Sequence, residues 1–455
     1  MPAIFANHAL LHDGWHANVR ITLTGSKIGS IKANSTAEAS DTRVDTVLPA
    51  LANLHSHSFQ RAMAGMTEVR AAGRDSFWTW RSLMYQFMQN VTPAQYQAIA
   101  ALVFMEMQEA GYASVGEFHY VHHQNGGARF EQVSELSQRV FAAAAQTGIG
   151  LTHLPVLYTY GGAGRAELSG GQMRFGNTVT QFADLLTEAR SKAAEVLPDD
   201  TRVGIAPHSL RATCPEDLAE ALPIAAGNPI HIHISEQPKE VEDIQGWLGA
   251  RPVEWLLQNA PVDQNWCLIH ATHMTDTETR DMARSGAVAG LCPITEANLG
   301  DGPFNGPAYL EEGGAFGVGS DSNVCISLTE ELRMLEYSQR LRDISRNVMI
   351  PGEGSVGNVL YTGAAKGGAT ALGRDSGEIA EGKLADLVAI DRSDPALVAL
   401  RDDQLLDGLC FAAKDRVVTD LWSAGRHRVQ GGRHVARDAV IATYGDAIKS
   451  LLASL

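Results

Sequence analysis

Histidine pairs spaced two apart occur at two places where an apolar run gives way to polar residues. His55-Ser56-His57 closes VLPALANLHSH, and His231-Ile232-His233-Ile234-Ser235-Glu236 closes PIHIHISE. On an extended strand residues i and i+2 share a face, so the imidazoles of a pair project together and can bind one ion. Alone, such a pair is weak evidence, because packed or surface histidines are common. The second run adds a carboxylate, Glu236, three residues after His233, which suits an ion plus a proton shuttle. His233 is the better ligand candidate, and His231 is expected one layer deeper as a hydrogen-bonded core histidine. His270 ends a third apolar run, and Asp321 follows a fourth in Gly319-Ser320-Asp321-Ser322. Three imidazoles and a carboxylate, with a position left for water, suit Zn²⁺ or Fe²⁺. An ion so held lowers the pKa of its water toward about 7, which is the chemistry of hydrolysis.

Residues this far apart in sequence need a scaffold that brings strand ends together. Between residues 45 and 325 short apolar segments alternate with longer helix-like ones, the pattern of a parallel sheet wrapped by helices. Eight candidate strands end at His57, His123, Tyr160, Arg211, Glu236, His273, Asn298 and Asn323, with helical spacing at 92–110, 178–197 and 239–259. The predicted fold is α/β, a (β/α)₈ TIM barrel over residues 49–374, with the polar residues at the C-terminal strand ends where barrel sites are built. No Gly-rich phosphate turn follows the first strand, which argues against an open nucleotide-binding sheet. Residues 1–48 and 375–437 read as strands and turns, among them Asp13-Gly14, LADLVAID and Gly431-Gly432. They are expected to meet as one small β-sandwich-like domain, followed by a C-terminal helix over 438–455.

Composition narrows the function classes. The chain has 455 residues, 45 % of them hydrophobic and 19 % charged, as expected of a globular enzyme. A net charge of −16 argues against a nucleic-acid partner, yet a few local arginines could still bind a small anion. No run approaches the ~18 apolar residues of a membrane span, and the N-terminus has no basic start of a secretory signal. A cytoplasmic location is expected. Cys214, Cys267, Cys292, Cys325 and Cys410 are odd in number and widely spaced, so they read as reduced thiols and not as a disulfide frame.

HSH on strand one, HIHISE on strand five, His270, the SDS of strand eight and the trailing GEIAEGKLADLVAID resemble the amidohydrolase superfamily, in its mononuclear deaminase branch. The likeness spans nearly the whole chain. The end of strand four offers His208 and no lysine to carboxylate, unlike a binuclear hydantoinase-like site. Longer stretches, NLHSHSFQRAMAGMTE (53–68), HISEQPKEVED (233–243), CPITEANLGDG (292–302) and EELRMLEYSQRLRD (330–343), resemble the formimidoylglutamate deiminase family.

That resemblance implies His55, His57, His233 and Asp321 as ligands of one ion, and Glu236, His270 and Asp321 as the groups that handle protons. It implies Gln60, Arg81, Tyr120, His208 and Arg211 as the walls of the substrate pocket. The expected reaction is hydrolysis of N-formimidoyl-L-glutamate to the N-formyl compound and ammonia, in histidine degradation. The chemistry of the residues agrees. Arg81, expected on the loop after strand one, and Arg211 can each grip a carboxylate through two hydrogen bonds. Trp78 and Trp80 are expected to be loop packing. The sequence departs from the family's SDSH at Asn323, which puts a loop contact in question but not Asp321. A deaminase of an aminopurine, pterin or triazine ring is the nearest alternative, although such a pocket would want apolar walls and amide readers. A non-catalytic barrel is the alternative from another class, and the presence of every ligand and of Glu236 argues against it. A homodimer is expected.

Overall fold

The structure, a computed structural model, describes residues 2–68 and 77–453. Met1 and residues 454–455, the outer ends of the predicted flank and tail, and residues 69–76 lie outside the described residues.

Parallel strands carry the centre of the chain. Strand one is Leu51–Ser56, strand two Tyr112–His119 and strand three Gly150–Leu157. Strand four is split into Arg202–Val203 and Ala206–Pro207. Strands five to eight are Ile230–Ile234, Trp266–His270, Val288–Leu291 and Phe316–Val318. Strands one to four form one sheet and five to eight another, with every pairing parallel. Isolated parallel bridges, Ile205 with Ile230 and Ser56 with Asp321, join the two sheets at both margins. Strands one, two, three and five are buried at every position, as expected where helices cover one face and side chains fill the other. The arrangement is α/β, of the TIM-barrel type.

Local sequence explains where elements start and stop, and where the predicted boundaries miss. Helix Pro93–Ala110 opens on a Thr92/Gln95 capping box with proline at its first turn, and ends at Gly111 with φ 106°. The helix expected over 239–259 is two, Pro238–Leu248 and Pro252–Asn259, broken by Gly249 at φ 78° and by Pro252. Strand two stops at His119 and not at His123, because the His122 and His123 N–H groups both donate to Arg174. Strand seven ends at Leu291. Asn298 lies instead in the short helix Pro293–Leu299, which Pro293 opens. Tyr160, Arg211, Glu236, His273 and Asn323 likewise fall beyond the strands they were expected to end.

The two flanks of the chain build one eight-stranded sheet. Its order is Arg433–His434, Arg426–Gln430, Val418–Ser423, Leu387–Ile390, Thr42–Pro49, Ala3–Leu11, Gly14–Thr24 and Lys27–Lys32. The seam lies between Thr42–Pro49 and Leu387–Ile390, which pair antiparallel. This sheet has its own core of Val19, Ile21, Val47, Leu387 and Trp422. A helix, Asp403–Phe411, interrupts the second flank, and Arg437–Leu452 forms the tail.

A buried ion cluster ties the sheet to the N-terminal ends of the parallel strands. Arg374 donates to both oxygens of Asp386 at 3.0 Å and to Asp200 at 2.9–3.2 Å, while Arg426 donates to the other side of Asp200 at 2.7 and 2.9 Å. Gly150 opens strand three against this guanidinium, and a Cβ there would lie 2.5 Å from Arg374 Nη1. All five cysteines are free thiols, four buried and Cys325 exposed. Among the described residues no helix is long and apolar enough to cross a membrane.

Candidate active site

His55 sits within strand one, His57 just past its end, His233 within strand five and Asp321 three residues past strand eight. The alternation expected from the sequence is what aims the first two together. Their Nε2 atoms lie 3.5 and 3.3 Å from Asp321 Oδ1, and His233 Nε2 lies 3.0 Å from His55 Nε2. Gly319 permits the approach of strand eight to strand one, since a Cβ there would lie 2.7 Å from the backbone N and O of His55.

Two of these rings are fixed from behind. His57 Nδ1 bonds to the Phe118 carbonyl at 2.9 Å and His233 Nδ1 to the His208 carbonyl at 3.1 Å, which leaves each Nε2 with its lone pair toward the centre. Two Nε2 atoms 3.0 Å apart beside a carboxylate can share one cation. Nitrogen donors from three imidazoles with one oxygen donor fit a divalent ion. His231 points the other way: it is buried and its Nε2 bonds to the Ala371 carbonyl at 2.8 Å, as expected of a core histidine.

Charge is concentrated around this set. Burial lowers the pKa of His55 to about 3 and depresses His57 and His233 as well, so all three are neutral and able to ligate. Burial would raise Asp321, but the His55 hydrogen bond and the nearby His57 and His270 hold it well below the usual carboxylate range. Glu236 is pushed up to about 7 by burial, against the pull of His270 and Arg211. Burial disfavours the His270 cation, yet Glu236, Glu296 and Asp321 together raise it to about 10. His270 Nε2 lies 3.8 Å from both Glu236 Oε1 and Asp321 Oδ2, and its Nδ1 is held by Glu296 at 3.2 Å.

Backbone strain gathers here too. Ser235, His270, Ala271, Asp321 and Asn323 all have φ between 47° and 69°, a region L residues rarely adopt. Asn323 is fully buried: its side chain accepts from Ser320 Oγ at 2.6 Å and donates to Ser56 Oγ and the Asp321 carbonyl. The residue that departs from the family pattern therefore pins the turn carrying Asp321.

A small pocket opens over the cluster, and Gln60, Arg81, Tyr120, His208 and Arg211 line it together with His57, His233, Glu236, His270 and Asp321. Gln60 donates to the Tyr120 hydroxyl at 2.8 Å, and Gln60 Oε1 is buried without a partner. Arg81 lies on the helix Phe77–Met88 and not on a loop, so its side chain is aimed by a regular backbone. It donates to the hydroxyls of Tyr85 and Tyr158. Arg211 is buried; its Nε lies 3.7 Å from Glu240 Oε2 and its Nη2 3.9 Å from Glu236 Oε2, and the Nε makes no hydrogen bond among the described residues. The Trp78 ring is 5.6 Å from the Arg81 guanidinium and 5.7 Å from that of Arg211. Trp80 lines the cavity. Both indoles are on a helix and not a loop; Trp80 lines the pocket, whereas Trp78 packs beside the two guanidiniums.

Sequence reasoning missed Tyr85, Tyr158, Glu240 and Glu296. Tyr85 stands four residues after Arg81 on one helix, a spacing that would have flagged it once that helix was assigned. Tyr158 follows strand three by one residue. Glu240 and Glu296 lie inside the family-like stretches 233–243 and 292–302, but no spacing rule singled them out there.

The chain matches the amidohydrolase family over residues 46–428 and the formimidoylglutamate deiminase HutF N-terminal domain over residues 1–45. It is 46% identical over 457 residues to the formimidoylglutamate deiminase of Pseudomonas aeruginosa, covering 99% of this chain and 100% of that protein. A 5-methylthioadenosine/S-adenosylhomocysteine deaminase of Natronomonas pharaonis is 26% identical over 434 residues, covering 92% and 89% of the two chains. The crystal structure of an amidohydrolase from Brucella melitensis superposes with a TM-score of 0.95 at 46% identity, covering 99% of this chain and 100% of that one. The chain therefore belongs to the amidohydrolase family, and within it to the formimidoylglutamate deiminases.

Proposed function

We propose that this chain hydrolyses the C–N bond of N-formimidoyl-L-glutamate to give N-formyl-L-glutamate and ammonia, in histidine degradation. The observation that carries the substrate is a pair of guanidiniums on one small cavity above a histidine–carboxylate cluster: Arg81, held by the hydroxyls of Tyr85 and Tyr158, and Arg211, which makes no side-chain hydrogen bond among the described residues. Two forked cations in a chain of net charge −16 suit a dicarboxylate.

One ion is held by His55, His57, His233 and Asp321, and Zn²⁺ is the identity that best suits this donor set, with Fe²⁺ next. When bound, it supplies Lewis acidity that makes water nucleophilic at neutral pH. Arg81 and Arg211 bind the two carboxylates, with Gln60, Tyr120 and His208 as further donors. Asp321 accepts the proton that water loses on attacking the amidine carbon. His270, between Glu236 and Asp321, orients the attacking oxygen. Glu236, its pKa pushed up to about 7, delivers a proton to the imino nitrogen as water adds. The C–N bond then breaks as the added hydroxyl becomes the formyl carbonyl, the proton on Asp321 passing to the leaving nitrogen to give ammonia and the hydroxyl proton returning to Glu236.

The eight parallel strands are read as one closed (β/α)₈ barrel over 49–374, and the flanks 1–48 and 375–437 as one small β domain built on a single eight-stranded sheet and not on the two sheets of a sandwich, with a helix at 438–455. A homodimer in the cytoplasm completes the reading.

Ammonia release measured over N-formimido amino acids, guanine and adenosine derivatives, together with elemental analysis, tests it. The expected result is turnover of N-formimidoyl-glutamate with one ion per chain. Turnover of a purine with no response to formimidoyl-glutamate would defeat the substrate, and two tightly bound ions per chain would defeat the ligand set.

A further inference from the structure

Within NLHSHSFQRAMAGMTE, Arg61 takes no part in the proposed chemistry, and it is not among the residues that line the pocket. It stands four residues after His57, in the short helix Ser58–Met63. Its guanidinium faces two ways. Nε and Nη2 donate to the two oxygens of Glu106 at 2.9 and 3.1 Å, a bidentate fork on the helix Pro93–Ala110. Nη1 donates to the carbonyls of Asn323 and Val324 at 3.2 and 3.0 Å.

Those carbonyls belong to the turn that carries Asp321. Backbone bonds join this turn to strand one: the His57 N–H donates to the Asp321 carbonyl and the Asp321 N–H to the His55 carbonyl, both at 2.9 Å. Beyond that short ladder the chain turns sharply, with Asp321 at φ 47° and Asn323 at φ 56°. Left-handed backbone at residues other than glycine persists only where its surroundings over-determine it. The Asn323 side chain holds the turn from within, through Ser320 and Ser56. Arg61 holds it from the other side, by its carbonyls.

We propose that Arg61 is a positioning residue for the metal centre. It locks the strained turn after strand eight to the segment after His57, and so fixes where Asp321 meets the three histidines. The inference rests on the ligand set proposed above. The Glu106 fork gives the lock its stiffness, because a planar guanidinium gripped along one edge presents its remaining nitrogen in one place. A lysine ammonium has no second edge and could serve only one side at a time. The side chains of Arg61 and Glu106 are 24 and 27% exposed, so water can take the place of either and the chain should fold without the pair.

Competition for zinc between the protein and a chelator of known affinity tests the assignment. Urea denaturation of the metal-free protein and steady-state kinetics in excess zinc accompany it. Arg61→Ala should bind zinc about 10-fold to 100-fold more weakly than wild type, the usual worth of a group that orients a ligand. In excess zinc its KM for N-formimidoyl-glutamate should hold while kcat falls, since Arg61 is off the pocket wall. Arg61→Lys and Glu106→Gln are milder probes, and each should weaken zinc binding by a smaller factor in the same direction. They carry the test if Arg61→Ala fails to fold. Wild-type zinc affinity in all three variants, with only the urea midpoint lowered, would make Arg61 a tie of the fold and overturn the proposal while the ligand set stands. A raised KM with unaltered zinc affinity would overturn it as well, by placing Arg61 in substrate binding. A wild type that holds no zinc would defeat the ligand set and this role together.

Discussion

Two arginines, both buried, lie at opposite ends of the same parallel strands. At the N-terminal ends Arg374 has all of its donor nitrogens engaged by Asp200 and Asp386. At the C-terminal ends Arg211 makes no hydrogen bond among the described residues, and its nearest carboxylate oxygens stand at 3.7 and 3.9 Å. The same contrast runs through their surroundings. Around Arg374 the polar groups find partners. At the C-terminal ends Gln60 Oε1, Glu240 Oε1 and Asp301 Oδ2 are buried with no hydrogen-bond partner among the described residues, and five backbones are left-handed. A buried polar group without a partner costs about 1–3 kcal/mol, so the upper end is built at the expense of stability and the lower end restores it. That division gives each end its own failure mode.

The largest effect should come from the upper end. Glu236→Gln should lower kcat by roughly 10²–10⁴ while metal content by elemental analysis and the denaturation midpoint stay near wild type. Activity within a few-fold of wild type would remove Glu236 from proton transfer. At the lower end, Arg374→Ala leaves Asp200 and Asp386 buried with one fewer cation. It should cost about 3–5 kcal/mol of stability by urea denaturation, with kcat of the folded fraction unchanged. A loss of kcat with no loss of stability would erase the contrast between the two ends.

Returning to the pocket, Arg81→Ala or Arg211→Ala should lower kcat/KM for N-formimidoyl-glutamate by about 30-fold to 10³-fold, matching a charge-assisted contact of roughly 2–4 kcal/mol. The loss should be smaller for a formimido compound lacking one carboxylate, and unaltered kinetics on the dicarboxylate would redraw the pocket. The smallest effect is in acid. Burial would raise Asp200, but Arg426 and Arg374 hold it below its ordinary value. A depressed pKa in the folded state gives stability that is complete above the unfolded value and is lost as pH falls through the folded one. The urea midpoint should therefore gain an acid limb below about pH 4 that Asp200→Asn flattens. An identical acid limb in that variant would assign the loss to other carboxylates.

The lower end was invisible in the sequence, and the upper end largely was not. His55, His57 and His233 are legible because alternation on a strand is a local rule, and the chemistry of ligation limits the residue types. Asp200, Arg374, Asp386 and Arg426 meet across 226 positions of chain, and nothing local marks them as partners. Boundaries failed where a proline or a carbonyl outside the sheet intervened, as at Pro293 and at Arg174. Arg81 was given its role but not its helix, because the segment before it has no apolar periodicity to announce one. The flank sheet was legible as strands, while its order was not, since pairing between distant strands is a tertiary fact.

That order has a consequence for how the molecule is made. Thr42–Pro49 waits for Leu387–Ile390 to complete its pairing, and the whole of the metal and substrate site lies between them in the chain. At about 5–20 residues per second, a ribosome needs on the order of tens of seconds to deliver the missing neighbour. For that interval one edge of the nascent sheet carries an unpaired row of N–H and C=O groups, a template for the same strand on a neighbouring polysome. A permuted gene that encoded the two flanks consecutively would close the interval.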